Sequence, residues 1–361
     1  MMRDSSQLKG LILSGGRGTR LQPFTHTRAK QLMPIANKAN LDYAVEDLTR
    51  AGIVEIGVVI SPETGDAVAE HLGDGSRFAA KFTFIRQDQP GGLAHAVRTA
   101  KDFLGTSAFV MYLGDNLLDG GINHLLDPWR SGEAQACILL TKVSNPSSFG
   151  VAVRDATGRV IKLVEKPKEF ISDLALVGVY LFTPEIHDVI ANLKPSARGE
   201  LEITDAIQGL VDRGRTVHAE QVKGWWKDTG RPEDLLDANR LILSRLEGDV
   251  QGMVEGSNLT GAVFVHATAT VKNSKIRGPV SIAANAVIEN SYIGPYTSIG
   301  AGARVISSEV EYSILIEGAS LENIPNRVDS SILGERANVS GQQTQRSTVQ
   351  FFLGDGSSVK I

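Results

Sequence analysis

The chain has 361 residues, 42% of them hydrophobic and 22% charged, with a formal net charge of −4. That length supports a sizeable core and more than one domain, and the lack of a basic excess argues against nucleic acid or a membrane surface as partner. Cys137 is the single cysteine, which excludes an intrachain disulfide or a cysteine-built metal site and points to a reducing, cytoplasmic setting.

In chain order, the start Met1–Gln7 is polar and lacks the apolar core of a leader peptide. No later run approaches the ~20 apolar residues of a membrane span. Leu11-Ile12-Leu13 reads as a first strand, and it runs into the glycine-rich turn Ser14-Gly15-Gly16-Arg17-Gly18-Thr19-Arg20-Leu21-Gln22-Pro23. Glycines at that density let backbone N–H groups converge on an anion, and Arg20 adds a planar, bidentate cation. The turn is not a P-loop, because no Lys-Ser or Lys-Thr pair follows it. Nor is it a dinucleotide fingerprint, since Leu21 stands where the last glycine would fall. A polyphosphate cradle and an ordinary strand-to-helix turn both remain open from the glycines alone.

Leu41, Ala44, Val45 and Leu48 share one helical face, with Gly52 placed to end the helix. Ile56–Ile60 is the next strand, then comes a helix around Thr64–Leu72, a strand over Lys81–Arg86 and a helix from Gly92 to about Phe103. Ala108–Leu113 is a near-continuous apolar run, as a central parallel strand requires. Cys137 lies in another apolar run, 136–140, and reads as core. Val151–Arg154 and Val160–Glu165 flank a turn and suggest a hairpin. Leu176–Phe182 is a strand, Pro184 opens a helix to Leu193, and Ile203–Val211 and Pro232–Leu246 look helical. Alternating strands and helices from residue 8 to about 240 predict an α/β sheet.

Beyond about residue 250 the texture changes. Apolar residues recur every six positions, at Val265 and Val271, at Ile276, Ile282 and Ile288, and at Val287, Ile293, Ile299 and Val305. Small residues, Asn and Gly fill the gaps. That period is the hexapeptide signature of a parallel β-helix, continued less regularly by Val310, Ile316, Leu333 and Val339. The last segment, 342–361, carries one apolar patch over 349–353 and has no assigned element.

Several residues carry chemistry, each beside a plainer reading. Asp115 follows a central strand, where open α/β sheets present ligand groups, or it caps a turn. Asp228, in Trp226-Lys227-Asp228-Thr229-Gly230, would suit Mg²⁺ together with Asp115, or it caps the next helix. Gln87 offers a donor and an acceptor that match a pyrimidine imide edge, and Gly92 admits a flat base, although a β–α loop needs neither role. Glu165-Lys166 pairs a hydroxyl acceptor with a phosphate-binding cation, or it is a solvated turn. Lys30 has the same ambiguity. His95 reads as structural or solvent-facing.

Taken together, Gly15–Pro23, Lys30 with Pro34, Gln87 with Pro90–Ala96, Leu113–Asn116, Phe149–Val151, Glu165–Pro167, Gly199–Asp205 and Trp226–Gly230 resemble the sugar-1-phosphate nucleotidylyltransferases, among them the glucose-1-phosphate thymidylyltransferases. The resemblance covers residue 8 to about 240. It implies a Rossmann-like mixed sheet nucleotidyltransferase domain over 1–245, followed by a left-handed parallel β-helix with a C-terminal tail over 246–361. It further implies that Leu13, Gly15, Gly16, Gly18, Thr19 and Arg20 hold the nucleotide, with Gln87, Pro90 and Gly92 at the base. Asp115 and Asp228 hold Mg²⁺ in this reading. Gly150, Glu165 and Val177 line the sugar site, where Val177 departs from a threonine often found there, and Lys166 and Lys30 neutralise phosphate. With Arg20, Lys30, Asp115 and Lys166 as the catalytic set, dTTP and glucose 1-phosphate would give dTDP-glucose and pyrophosphate. UTP shares the imide edge and is an alternative. So are a sugar acetyltransferase activity in the coil, whose one histidine is His266, and a non-catalytic regulatory subunit. The coil implies a homo-oligomer.

Overall fold

The computed structural model describes residues 8–156, 158–341 and 351–360. The polar start, Thr157 and the stretch 342–350 of the tail lie outside the described residues. Contacts divide the chain into two compact units, Met1–Gly16 with Leu41–Asp228 and Arg17–Asn40 with Thr229–Ile361.

The first unit is a nine-stranded mixed sheet. Lys9–Ser14 lies between Glu55–Ile60 and Phe109–Leu113 and runs parallel to both, with Lys81–Arg86 parallel beyond. These are the apolar runs expected of strands covered on both faces, and Leu11, Ile12, Val58, Val110 and Met111 are fully buried. Leu174–Phe182 joins antiparallel to Phe109–Leu113, and the hairpin forms from Gly150–Arg154 and Val160–Glu165. Ala136–Lys142 and Val217–Gln221 extend the sheet. Leu41, Ala44, Val45 and Leu48 of helix Asn40–Arg50 are all fully buried, which is the face their spacing picked out. The helix expected over 92–103 is two, Leu93–Thr99 and Lys101–Leu104, divided at the buried Ala100. Cys137 is core, and burial pushes its thiol up to about 12, so it is no nucleophile. Because the parallel strands share one direction, Gly15, Gln87 and Asp115 all follow carboxyl ends of strands in the same parallel array, the edge at which open α/β sheets take ligands.

The second unit contains the turns of Arg17–Asn40, helix Pro232–Leu243 and a parallel β-helix of three sheets with seven, seven and five strands. The fold is the one the left-handed hexapeptide coil predicts. Val265, Val271, Ile276, Ile282, Ile288, Ile293, Ile299, Val305 and Val310 are fully buried along its axis. Val287 is not among them. The turns around Val287 are one residue shorter than three hexads, because stacked partners there lie 17 positions apart, whereas later turns run to 16, 18 and 20 residues. That missing residue splits the sequence period into two phases and brings Ile288, not Val287, inward.

Serine fills the tight corners for a definite reason. The backbone N–H groups of Ser274, Ser291, Ser308 and Ile324 donate to the hydroxyls of Ser257, Ser274, Ser291 and Ser308 at 2.9, 3.0, 3.2 and 3.1 Å. Asn273, Asn285, Asn290 and Asn323 take the left-handed conformation at other corners, which asparagine tolerates better than most residues. The tail contributes Phe352–Leu353 and Ser358–Lys360, which pair with Ile332–Leu333 and Asn338–Ser340 and so continue the coil. Among the described residues no helix is long and apolar enough to cross a membrane.

The register makes a direct prediction. Ile288→Ala should cost about 2–5 kcal/mol through lost burial and a cavity, whereas Val287→Ala should cost under about 1 kcal/mol. Urea unfolding of the two variants measures the difference, and equal losses would contradict the 17-residue turn.

Candidate active site

At the carboxyl edge of the first unit, Gln87 closes strand Lys81–Arg86 by donating its backbone N–H to the Ile60 carbonyl at 2.9 Å. Its amide nitrogen lies 2.8 Å from His95 Nδ1 and 3.5 Å from the Gly92 carbonyl. A carbonyl only accepts, so the amide nitrogen must face it, and His95 Nδ1 must be the unprotonated, accepting nitrogen. The Gln87 carbonyl oxygen is thereby aimed at Gly15, where a Cβ would sit 3.3 Å from it. Burial, aided by the Arg98 charge, holds the His95 ring below the ordinary histidine value, which keeps it neutral at pH 7. Gly92 has φ +95°, and a Cβ there would meet the Leu201 carbonyl at 2.6 Å. This loop is stitched to Leu201 by the Leu201 N–H to the Gly91 carbonyl and the Ala94 N–H to the Leu201 carbonyl, at 2.8 and 3.0 Å. Pro90 is exposed beside it.

Asp115 is buried, 7% exposed, just past strand Phe109–Leu113. Asn116–Leu118 pairs antiparallel with Trp226–Asp228, setting Asp228 directly opposite Asn116. Asp228, far from Asp115 in sequence, therefore lies across from the residue that follows Asp115, and residues directly opposed in such a pair have Cα spacings of about 4.5–5.5 Å. Asn116 organises this corner. Its carbonyl oxygen accepts the Trp226 indole N–H at 2.6 Å and the Gly178 N–H at 3.3 Å, while its amide donates to Asp115 at 3.2 Å. Phe149 packs edge-on against Trp226. Among the described residues no group of three or more His, Cys, Asp and Glu forms a metal cage. A pair of aspartates instead fits a hard cation that keeps waters and phosphates as its other ligands, the habit of Mg²⁺.

Glu165 ends its strand with both carboxylate oxygens engaged, one by the Thr204 hydroxyl at 2.6 Å and the other by Arg198 at 3.1 Å. Arg198 also binds Glu202 at 2.8 Å and Glu200 at 3.6 Å. Gly150 is required here, because a Cβ would lie 2.6 Å from the Thr204 hydroxyl and 2.9 Å from Glu165. Lys166 is exposed in the left-handed region at φ +41°, a strained setting that clusters at functional sites. Val177 is fully buried in strand Leu174–Phe182, so its side chain has no exposed face.

Leu13 and Gly15 belong to the first unit, as does the exposed Gly16; Arg17 onward belongs to the second. Within the second, Gly18 takes φ +63°, and its carbonyl accepts the Leu21 N–H at 2.9 Å and the Thr25 hydroxyl at 2.7 Å. A Cβ on Gly18 would collide with Thr25 and with Lys30 Cβ at 2.9 Å. Thr19 and Arg20 are exposed on the short helical turn that follows, and Lys30 opens another. His266, in the coil, keeps Nδ1 for Thr268, whose N–H lies at 3.2 Å.

Sequence reasoning missed His95, Asn116, Arg198 and Thr204 as positioning groups. Three carried a signal. Asn116 adjoins Asp115, and Arg198 and Thr204 flank or fall in the Gly199–Asp205 motif. The Gln87–His95 contact spans a loop and needed coordinates.

Residues 9–245 match the family described as nucleotidyl transferase. The chain is 46% identical over 355 residues to a glucose-1-phosphate thymidylyltransferase of Streptomyces griseus, covering 98% of this chain and 99% of that protein. A solved Bacillus anthracis structure assigned as a glucose-1-phosphate thymidylyltransferase, in complex with a sucrose, is 37% identical with a TM-score of 0.61, over 65% of this chain and 94% of that one. A UDP-glucose pyrophosphorylase solved with UDP-glucose is 26% identical with a TM-score of 0.59, over 66% and 99%.

The Gln87–His95 contact predicts a pH signature. At pH 7 the neutral ring accepts; below its depressed pKa, under 6.5, Nδ1 gains a proton and opposes the donating amide. The Gln87 side-chain amide resonances should shift with a midpoint below pH 6.5, and His95→Gln should remove the transition. A titration unchanged in that variant would place its cause elsewhere.

Proposed function

The chain belongs to the nucleotidyl transferase family, and from that premise we propose that it joins dTTP to glucose 1-phosphate, forming dTDP-glucose and pyrophosphate. The observation that carries the reading is the ladder that sets Asp228 opposite Asn116, the residue that follows Asp115. Those two carboxylates would hold Mg²⁺, which when bound supplies charge neutralisation for the nucleotide's phosphates. The family match ending at residue 245 supports dividing the chain into 1–245 for nucleotidyl transfer and 246–361 for the coil and tail.

No nucleophilic side chain is needed. A phosphate monoester has its second pKa near about 6, so at pH 7 the sugar phosphate offers an anionic oxygen able to attack the α-phosphorus in line. The chain's own groups then position the reactants and offset charge. Gln87, locked by His95, presents its carbonyl oxygen to the pyrimidine N3–H while Gly15 and Gly92 leave room for the ring. Leu13 and Pro90 border that nucleotide site. Gly16, Gly18 and Thr19 offer backbone and hydroxyl donors to phosphate. Glu165, fixed by Thr204 and Arg198, accepts sugar hydroxyls above Gly150, and the backbone around Val177 completes that side. Lys166 neutralises the sugar phosphate, Lys30 the phosphates between the two substrates, and Arg20 the departing pyrophosphate. Uracil presents the same imide edge to Gln87, so UTP is the competing nucleotide. The exposed Val250 and Met253 on the first turn of the coil support association with further copies.

Pyrophosphate release tests the reading. With dTTP, glucose 1-phosphate and Mg²⁺, Asp115→Asn and Asp228→Asn should each lower kcat at least about a hundredfold, with circular dichroism unchanged. Wild-type protein that releases no pyrophosphate from any nucleotide and sugar phosphate pairing would overturn the proposal. Near-normal turnover in both variants would remove the metal role.

A further inference from the structure

The segment Arg17–Asn40, which carries Arg20 and Lys30, packs with the coil and helix Pro232–Leu243. Four sets of contacts fasten it. Asn37 donates its amide to the Ser281 carbonyl and hydroxyl at 3.0 and 2.9 Å. Asn239 is fully buried; its carbonyl oxygen accepts the Ala36 N–H at 2.9 Å and the Ser298 hydroxyl at 2.7 Å, while its amide donates to the Tyr296 carbonyl at 2.9 Å. Arg28 pairs with Glu335 at 2.5 Å, with side chains only 22% and 24% exposed. Thr27 binds the Asp355 carboxylate, which also accepts the Glu335 N–H at 2.7 Å.

The segment is also tied to itself. The Gly18 carbonyl holds both Leu21 and Thr25, and Gly18 abuts the Lys30 stem. Arg20 and Lys30 therefore sit on one knot whose supports are Asn239 of helix Pro232–Leu243 and residues of the coil. A merely decorative coil would not accept a hydrogen bond from, and donate one to, a fully buried helix asparagine, nor set a half-buried ion pair under a segment rich in exposed polar residues, because such groups cost free energy unless they are partnered.

We propose that the parallel coil is a positioning scaffold for the Arg20–Lys30 segment, with the Arg28–Glu335 pair as its adjustable support. The inference rests on the nucleotidyl transfer reading for its kinetic consequence but not for its structural one. If Arg20 and Lys30 offset charge that develops on the departing pyrophosphate, loosening the scaffold acts on the transition state more than on substrate binding. In this reading Arg28 and Glu335 are positioning residues, acting through the segment they anchor.

The test is a charge-reversal cycle in the full chain with Arg28→Glu, Glu335→Arg and the double exchange. Each single variant should lower kcat about tenfold with the KM for sugar phosphate within about twofold, and the double exchange should restore most of the loss. Amide hydrogen exchange of residues 17–40 is read in parallel. It should rise in the single variants and return in the double, whether or not the protein turns over. Faster exchange without any wild-type turnover would retain the scaffold and sink the enzymatic reading. Wild-type kcat together with unchanged exchange in both single variants would overturn the scaffold, and so would a uniform fall in unfolding temperature with no change local to 17–40.

Discussion

A single side-chain amide, that of Asn116, holds the chemistry-bearing corner of the sheet together. Its oxygen takes hydrogen bonds from Trp226 and Gly178, and its nitrogen gives one to Asp115. Because the residue is buried, 2% exposed, any of these groups left unpaired would carry a desolvation penalty of about 1–3 kcal/mol. The amide thus couples three elements that are remote in sequence. These are the end of the central strand, the short strand carrying Asp228, and the strand that pairs with the Gly150–Glu165 hairpin. Gly178 has no room for a side chain because Leu113 and Asn116 lie where its Cβ would be.

The same logic repeats around the edge. Gln87 is held by His95 and Gly92, and Glu165 by Thr204 and Arg198. In each case a polar side chain at the carboxyl edge is oriented by neighbouring groups. Preorganisation of this kind suits phosphoryl chemistry, where rate comes from placing charges and not from a covalent intermediate. It also gives Gly150 and Gly92 a reason beyond flexibility, since each leaves space that a partner's polar atom or backbone occupies.

Much of this was legible in the chain itself. Helical spacing picked out the buried face of Leu41–Leu48, apolar runs gave the parallel strands, and the hexad period gave the coil. Motif order joined Asp115 to Asp228 before any pairing was known. What sequence could not carry was register and orientation. A five-step interval hidden among six-step ones moved Val287 out of the axis and Ile288 into it. The helix expected over 92–103 breaks at Ala100, a residue with no helix-breaking signature. The hydrogen-bond partners of Gln87 and Glu165 depend on side-chain directions that propensity does not encode. The grouping of Arg17–Asn40 with the coil is a tertiary choice that local sequence leaves silent.

The serine-stapled turns give the coil a property of a measuring rod. Interior turns hand the same hydroxyl to the next, so in isolation one turn could be added or removed with little local penalty. Yet the segment that begins at Arg17 is fastened at Ser281 and again at Glu335, beside strands three steps apart in one sheet, about 14 Å at ~4.8 Å per step. A duplicated turn between those anchors would stretch the span by one step and break one fastening. The number of turns in that stretch is therefore fixed by a short loop near the other end of the chain, while turns outside it are free to vary in evolution.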